Sequence, residues 1–228
     1  MINANLEKYK DRHSGESILY FGSGKSLSLY DNNKSILKVG AGGILFWEKE
    51  VMDYYFITDS GRPGTHAHLG CVFGYYDKQK EHDEYKPGIE KIYRLSRAGL
   101  SGMPSGKDAT YYNITKRVND VRGLPFFKDI TLGLGYGYTS SVEIIQFLCY
   151  MGFKNIYLIG HDCDYSNGSF LNERPPMGAS KLIEVWRKIK LWVERDYPDT
   201  NIFSINPINL KIFPEKGYAD LKGETVYG

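Results

Sequence analysis

The sequence predicts an α/β fold, a mainly parallel central sheet flanked by helices. Three observations carry that expectation. Short apolar runs at 17–21, 53–58, 155–159 and 201–205 alternate along the chain with stretches at helical spacing. The run NIYLI at 155–159 is apolar almost throughout, the pattern of a strand buried on both faces of a parallel sheet. It stops at Gly160, and His161, Asp162, Asp164, Tyr165, Asn167 and Ser169 follow at once. In open α/β sheets ligands bind beyond the carboxyl ends of the strands, so this loop is the first candidate for a site.

The elements follow in order. Residues 1–16 read as a charged lead-in with a short helix over 5–12. The first strand, SILYF at 17–21, runs into Gly22-Ser23-Gly24-Lys25-Ser26. Small residues there let the backbone turn tightly and approach a ligand, and a following helix would aim free N–H groups at an anion. A plain structural turn would use the same residues. The turn is not a P-loop, because that pattern needs a glycine five places before Gly24, where Leu19 stands. Residues 35–39 and 44–47 flank a glycine-rich turn and read as a strand pair. The strand at 53–58 ends in Asp59, whose carboxylate could hold a ligand hydroxyl or cap the next turn.

From 61 to 106 the pattern dissolves into glycine, tyrosine and charge, with one strand expected at 91–95; so long a stretch reads as a lid or insertion. It holds His66 and His68, which on a strand would share a face, but only His82 offers itself as a third ligand. A second glycine-rich approach at 131–138 leads to Thr139, Ser140 and Ser141. Hydroxyls here, apolar residues at helical spacing and Gly152 at the end predict a helix whose start could bind an anion. Residues 180–195 predict a second amphipathic helix, and 201–205 a last strand ending in Asn206-Pro207. The segment 166–179 is a second lid candidate, and the whole chain, 1–228, is expected to form one domain.

Composition narrows the classes. A net charge of +2 with scattered Lys and Arg gives no reason to expect a nucleic-acid partner. Three widely spaced cysteines without a CxxC pair argue against a disulfide scaffold and for a reducing compartment. The polar amino terminus carries no apolar leader, and no stretch approaches the roughly 18 apolar residues that span a bilayer. A cytoplasmic protein is expected, with peripheral membrane contact left open. Nineteen tyrosines supply flat faces with hydroxyls, suited to sugars and bases as well as to a core.

The opening (Lys8-Tyr9-Lys10, His13, Gly15, then the strand into GSGKSL) resembles that of a bacterial family that usually reads GNGPSL there. The family includes archaeal hydroxymethylpterin diphosphokinases and proteins of surface-polysaccharide clusters, and the same elements are similar to bacterial lipo-oligosaccharide sialyltransferases. DYYFITD at 53–59, the block 139–162 and SINPINLKIFP at 204–214 extend the resemblance, with the strand plus GHD its most specific part. It implies a Rossmann-like, single nucleotide-binding domain with a lid, in which Gly22, Ser23, Gly24 and Ser26 face the phosphates and Asp59, Thr139 and Ser140 lie near the donor. Tyr165 aligns with a tyrosine that stabilises the leaving phosphate, with Asn167, Gly168 and Ser169 in step; the second family tyrosine falls near Phe170. The sialyltransferases' catalytic histidine falls at Ala179, which cannot accept a proton, and no histidine follows His161.

The resemblance and the residues together point to a glycosyltransferase with a nucleotide-activated sugar as donor, a CMP-sugar favoured, and a glycan or lipid-linked saccharide as acceptor. Tyr165, Lys25 and the turn amides would stabilise the departing phosphate. Asp162, Asp59 or His161 would take the acceptor proton. Asp162-Cys163-Asp164 spells DxD and could share a divalent metal, although the resembling sialyltransferases work without one and no cofactor is required. Magnesium-dependent pyrophosphoryl transfer to a pterin-like alcohol and a degenerate binding module are the alternatives.

Overall fold

The computed structural model describes residues 3–30, 35–41, 44, 47, 52–58, 90–95, 109–114, 116–117, 126–164 and 179–223. Ten strands fall among them: β1 (Ser17–Phe21), β2 (Leu37–Ala41), β3 (Tyr54–Ile57), β4 (Glu90–Leu95), β5 (Ala109–Asn113), β6 (Lys116–Arg117), β7 (Gly135–Tyr136), β8 (Asn155–Ile159), β9 (Asn201–Ile205) and β10 (Glu215–Lys216). Eight of them form one sheet in the order β10-β9-β8-β1-β2-β3-β4-β5, with parallel pairing throughout, and β6 pairs with β7 apart. Two α-helices, α1 (Ser141–Tyr150) and α2 (Ala179–Asp196), complete the expected α/β architecture.

Alternation along the strands sorts the core into two layers. Ile18, Tyr20, Val39, Phe56, Ile156 and Leu158 face the layer that holds α1 and the Leu182, Val185, Trp186 and Ile189 stripe of α2. Leu19, Phe21, Tyr55, Tyr157, Ile159 and Ile205 face the other, under Leu27, Tyr30, Trp47, Met52 and Leu221. Helix α1 is buried on every side, Glu143 and Gln146 included; α2 keeps a charged outer face with Lys181, Glu184, Arg187 and Glu194.

One expectation needs correction, another is refined in its bounds, and one strand was not foreseen. Ile44 and Trp47, the described residues of the expected strand 44–47, do not stand in one: the Trp47 N–H donates to the Ile44 carbonyl at 3.0 Å, and both side chains are buried against the second sheet face. Their apolar character comes from covering the sheet rather than joining it. The short helix expected over 5–12 is a 3-10 helix at Ala4–Tyr9, with Leu6 and Tyr9 fully buried and the Tyr9 hydroxyl donating to Thr110 Oγ1 at 2.8 Å. The edge strand β5 was not foreseen, because ATYYN lies beside a stretch without periodicity.

One side chain fixes the approach to α1. The buried Gln146 carboxamide accepts from Phe127 N at 3.0 Å and Gly135 N at 3.2 Å, and donates to Gly135 O at 2.8 Å and Val142 O at 2.6 Å. Every polar atom of the amide is satisfied, so the glycine-rich 131–138 stretch is held to the helix that follows it.

Candidate functional site at the strand-order reversal

From β1 the chain builds outward to β5, then returns through α1 to place β8 on the opposite side of β1. The strand order reverses between β1 and β8, and the crevice beyond such a reversal is where open α/β sheets bind ligands. The two strands run in register to their ends, Phe21 opposite Ile159. The glycine turn after β1 and the His161–Asp162 loop after β8 therefore leave the sheet side by side.

They stay joined. The Gly22 N–H donates to Ile159 O and the Gly24 N–H to Gly160 O, each at 2.7 Å. A Cβ on Gly22 would lie 2.6 Å from Gly160 O, and one on Gly24 would lie 2.5 Å from Asp162 Oδ2. Gly160 itself takes φ +69°, a conformation side chains rarely adopt. These glycines are needed for the approach of two chain segments.

Asp162 locks the arrangement. Its carboxylate is buried; Oδ2 accepts from the Ser26 N–H at 2.7 Å and Oδ1 from the Ser26 hydroxyl at 2.5 Å. On the far side the Asn209 N–H donates to Asp162 O at 3.0 Å, and the Tyr218 hydroxyl donates to Ser26 O at 3.1 Å. The short 3-10 helix Lys25–Leu29 thus starts from an aspartate supplied by the loop after β8. Of the predicted phosphate-facing groups, the amides of Gly22, Gly24 and Ser26 have protein partners. Ser23, half-buried, and Lys25, exposed, are not tied in this way.

His161 lies against the opposite flank of the turn. Its ring packs on Tyr20, centroids 4.2 Å apart, and edge-on to Trp186 of α2 at 5.4 Å. Burial drives its pKa down to about 3, with a backbone hydrogen bond to Tyr20 opposing that shift. The ring is neutral at any ordinary pH, a poor match to proton abstraction near neutrality. The start of α1 meets β1 through Tyr20, whose hydroxyl is 3.2 Å from Ser141 Oγ. The Ser141 N–H in turn contacts Thr139 Oγ1 at 3.3 Å. Ser140 is the residue before α1 and its side chain makes no capping bond.

The sequence named Asp162 and His161 as acceptors for a proton; the geometry gives one a holding task and cages the other. Cys163, with φ +52°, is buried, and its thiol pKa is pushed up to about 12 by burial and then by the Asp162 charge, so it is no nucleophile. Among the described residues no group of three His, Cys, Asp or Glu is arranged to hold a metal ion. Of the DxD pair, Asp162 turns both oxygens to Ser26, and Asp164 is half-buried. Ala179 opens α2. Asp59, Tyr165, Asn167, Gly168, Ser169, Phe170 and the histidines at 66, 68 and 82 lie outside the described residues. Tyr20, Trp186, Asn209 and Tyr218 were not foreseen. Trp186 looked like helix core, and the others carry no local signal.

An eight-stranded parallel sheet with polar loops gathered at the strand-order reversal defines a Rossmann-like α/β fold. Among solved structures, the MAf glycosyltransferase from Magnetospirillum magneticum AMB-1 shares this fold, with a TM-score of 0.58 and 13% identity over 99% of this chain and 39% of that one. The chain therefore spans well under half the length of that protein. The sialyltransferase CstII from Campylobacter jejuni in complex with cytidine-5'-monophosphate aligns with a TM-score of 0.48 and 15% identity, over 84% of this chain and 80% of that one. No protein-family model matches the sequence, and no curated protein matches it. These comparisons give no support to a diphosphokinase kinship.

Proposed function

We propose that this chain binds a nucleotide-activated sugar in the crevice between the ends of β1 and β8 and transfers the sugar to a hydroxyl of a glycan acceptor. The observation that carries the reading is the union of the GSGKS turn and the GHD loop at the strand-order reversal, through Ser26 and Asp162, 136 residues apart. A shared fold with a glycosyltransferase supports it.

In this reading Ser23, Lys25 and the start of α1 at Thr139 and Ser140 meet the donor phosphates, where an exposed ammonium and a helix amino terminus both favour negative charge. Transfer breaks the bond between the sugar and its phosphate oxygen and forms one to the acceptor oxygen, whose proton passes to a base. Tyr165 donates to the departing phosphate, and Asn167, Gly168 and Ser169 line the donor beside it. With Asp162 bound to Ser26 and His161 held neutral, Asp59 is the remaining base candidate of the three. A CMP-sugar is the favoured donor on the sequence resemblance, and no metal is required.

A thermal-shift series tests the reading: CMP, CDP, UDP, GDP, dTDP and ATP, each with and without Mg²⁺ or Mn²⁺. A ligand that binds only the folded state raises the melting temperature by mass action. CMP active without metal supports a CMP-sugar. A nucleoside diphosphate that needs metal redirects the assignment to a metal-dependent transferase, and no shift with any of them removes the donor site.

A further inference from the structure

We infer that Lys25 makes this site grade its ligands by phosphate charge, an inference that rests on the donor-site reading above. The released nucleotide is then held more tightly than the nucleotide sugar it comes from, and inhibits the reaction as product. A glycine turn ordinarily offers an anion its backbone N–H groups. Here the amides of Gly22, Gly24 and Ser26 are spent on Ile159 O, Gly160 O and Asp162, and the Ser26 hydroxyl goes to Asp162 as well. A Cβ on either glycine would lie 2.6 Å from Gly160 O, so that face has no room for a phosphate oxygen. At the start of α1 the Ser141 N–H meets Thr139 Oγ1 at 3.3 Å and the Val142 N–H meets the Thr139 carbonyl at 3.2 Å. The helix dipole remains, but its first donors are engaged. What is left of the turn for an anion is Ser23 and Lys25.

Charge singles out the lysine. The loops 22–26 and 160–164, which meet at the reversal, carry Asp162 and Asp164 against one cation, Lys25. Their histidine, His161, is neutral. An incoming phosphate therefore meets two carboxylates, and the Lys25 ammonium is the group that offsets them. Lys25 is exposed, and its side chain makes no ion pair or hydrogen bond among the described residues, so it reaches a ligand without giving up a partner.

Transfer raises the charge at this place. When the sugar–phosphate bond breaks, its electron pair stays on the phosphate oxygen, while the acceptor's proton passes to the base. A phosphodiester with one negative charge becomes a monoester with roughly −1.5 to −2 near neutrality. An ammonium responds to that added charge wherever it is spread over the phosphate. The attraction grows as the bond breaks and is greatest in the product. The interaction that assists departure thus slows release.

The test measures binding of three probes to the full chain: CMP, its methyl phosphodiester and cytidine. The parent should bind CMP about five-fold more tightly than the diester, the attraction of one further charge at contact in water. High KCl should erase the difference. Lys25→Met keeps the stem and removes the charge. It should melt as the parent does, bind CMP and the diester alike, and bind cytidine as the parent does. Lys25→Arg should restore the preference. If the thermal-shift series selects UDP, then UDP, its methyl ester and uridine replace the three.

Equal binding of the nucleotide and its methyl ester by the parent overturns the inference, and so does a preference that survives in Lys25→Met. Either result leaves the donor site standing. Failure of the parent to bind any nucleotide refutes the donor site itself, and this inference with it.

Discussion

Ser26 and Asp162 are joined twice, by a backbone N–H at 2.7 Å and a hydroxyl at 2.5 Å, with both carboxylate oxygens used. A holding role and a chemical role for Asp162 predict different behaviour of its amide analogue. In Asp162→Asn the carboxamide oxygen can accept from the Ser26 N–H while its NH₂ donates to the Ser26 hydroxyl, which is able to accept. We expect this variant to keep most of its activity and stability. Asp162→Ala leaves the Ser26 N–H and hydroxyl unpaired, and should lose about 2–4 kcal/mol in urea unfolding. A catalytic base or metal ligand would instead lose activity in both variants by orders of magnitude.

Gly24→Ala should be more damaging than its size suggests. The new methyl would stand 2.5 Å from Asp162 Oδ2 and 2.6 Å from Gly160 O, one of them backbone that cannot swing aside. A loss of about 1–3 kcal/mol is expected from such overpacking, read as a fall in the urea midpoint at unchanged m-value. If Gly24 serves only to let a phosphate approach, stability would be unaffected and nucleotide affinity alone would drop.

His161 should shape the acid side of the stability profile. Its pKa is about 3 in the folded chain, against an ordinary value of 6.5. Between those values the unfolded chain binds a proton that the folded chain refuses, so stability falls as pH drops from 6.5 toward 3. The slope contributed by this one group approaches 1.4 kcal/mol per pH unit in the middle of that window. In His161→Phe the decline should flatten; equal acid limbs in parent and variant would show that the imidazole is not held neutral.

Tyr218→Phe removes only the hydroxyl that donates to Ser26 O, leaving the edge contact with Tyr30 at 5.7 Å. A loss of about 1 kcal/mol is expected for the hydrogen bond. Because Ser26 belongs to the candidate phosphate turn, nucleotide binding should weaken as well. Unchanged binding together with lower stability would confine Tyr218 to the fold.

Strands β1, β3, β8 and β9 could be read from sequence because each is a short apolar run ended by glycine or a polar cluster, and α2 because its stripe repeats at helical spacing. The same logic failed at Ile44 and Trp47, where apolar residues cover a sheet instead of joining it. At the site, the glycine turn and the GHD loop both stood out, yet the reason for their composition did not. Gly22 and Gly24 looked like room for a ligand; the room is filled by Gly160, His161 and Asp162, a contact that only the three-dimensional register of β1 with β8 creates. The buried Nε2 of His161, without a hydrogen-bond partner among the described residues, was equally invisible, since no local pattern says which ring edge a Trp from α2 will cover.

The reversal of strand order also sets a timetable. During synthesis β1 to β5 emerge well before β8, so the SILYF strand waits with one backbone edge unpaired until residues 155–159 arrive. Until then the crevice has a single wall, and the proposed nucleotide would have little to hold. The nascent chain would pass through a stretch in which an apolar strand is open to pairing with other chains, the kind of exposure that engages chaperones. Ligand competence would switch on late, when the Ser26 hydroxyl first meets Asp162.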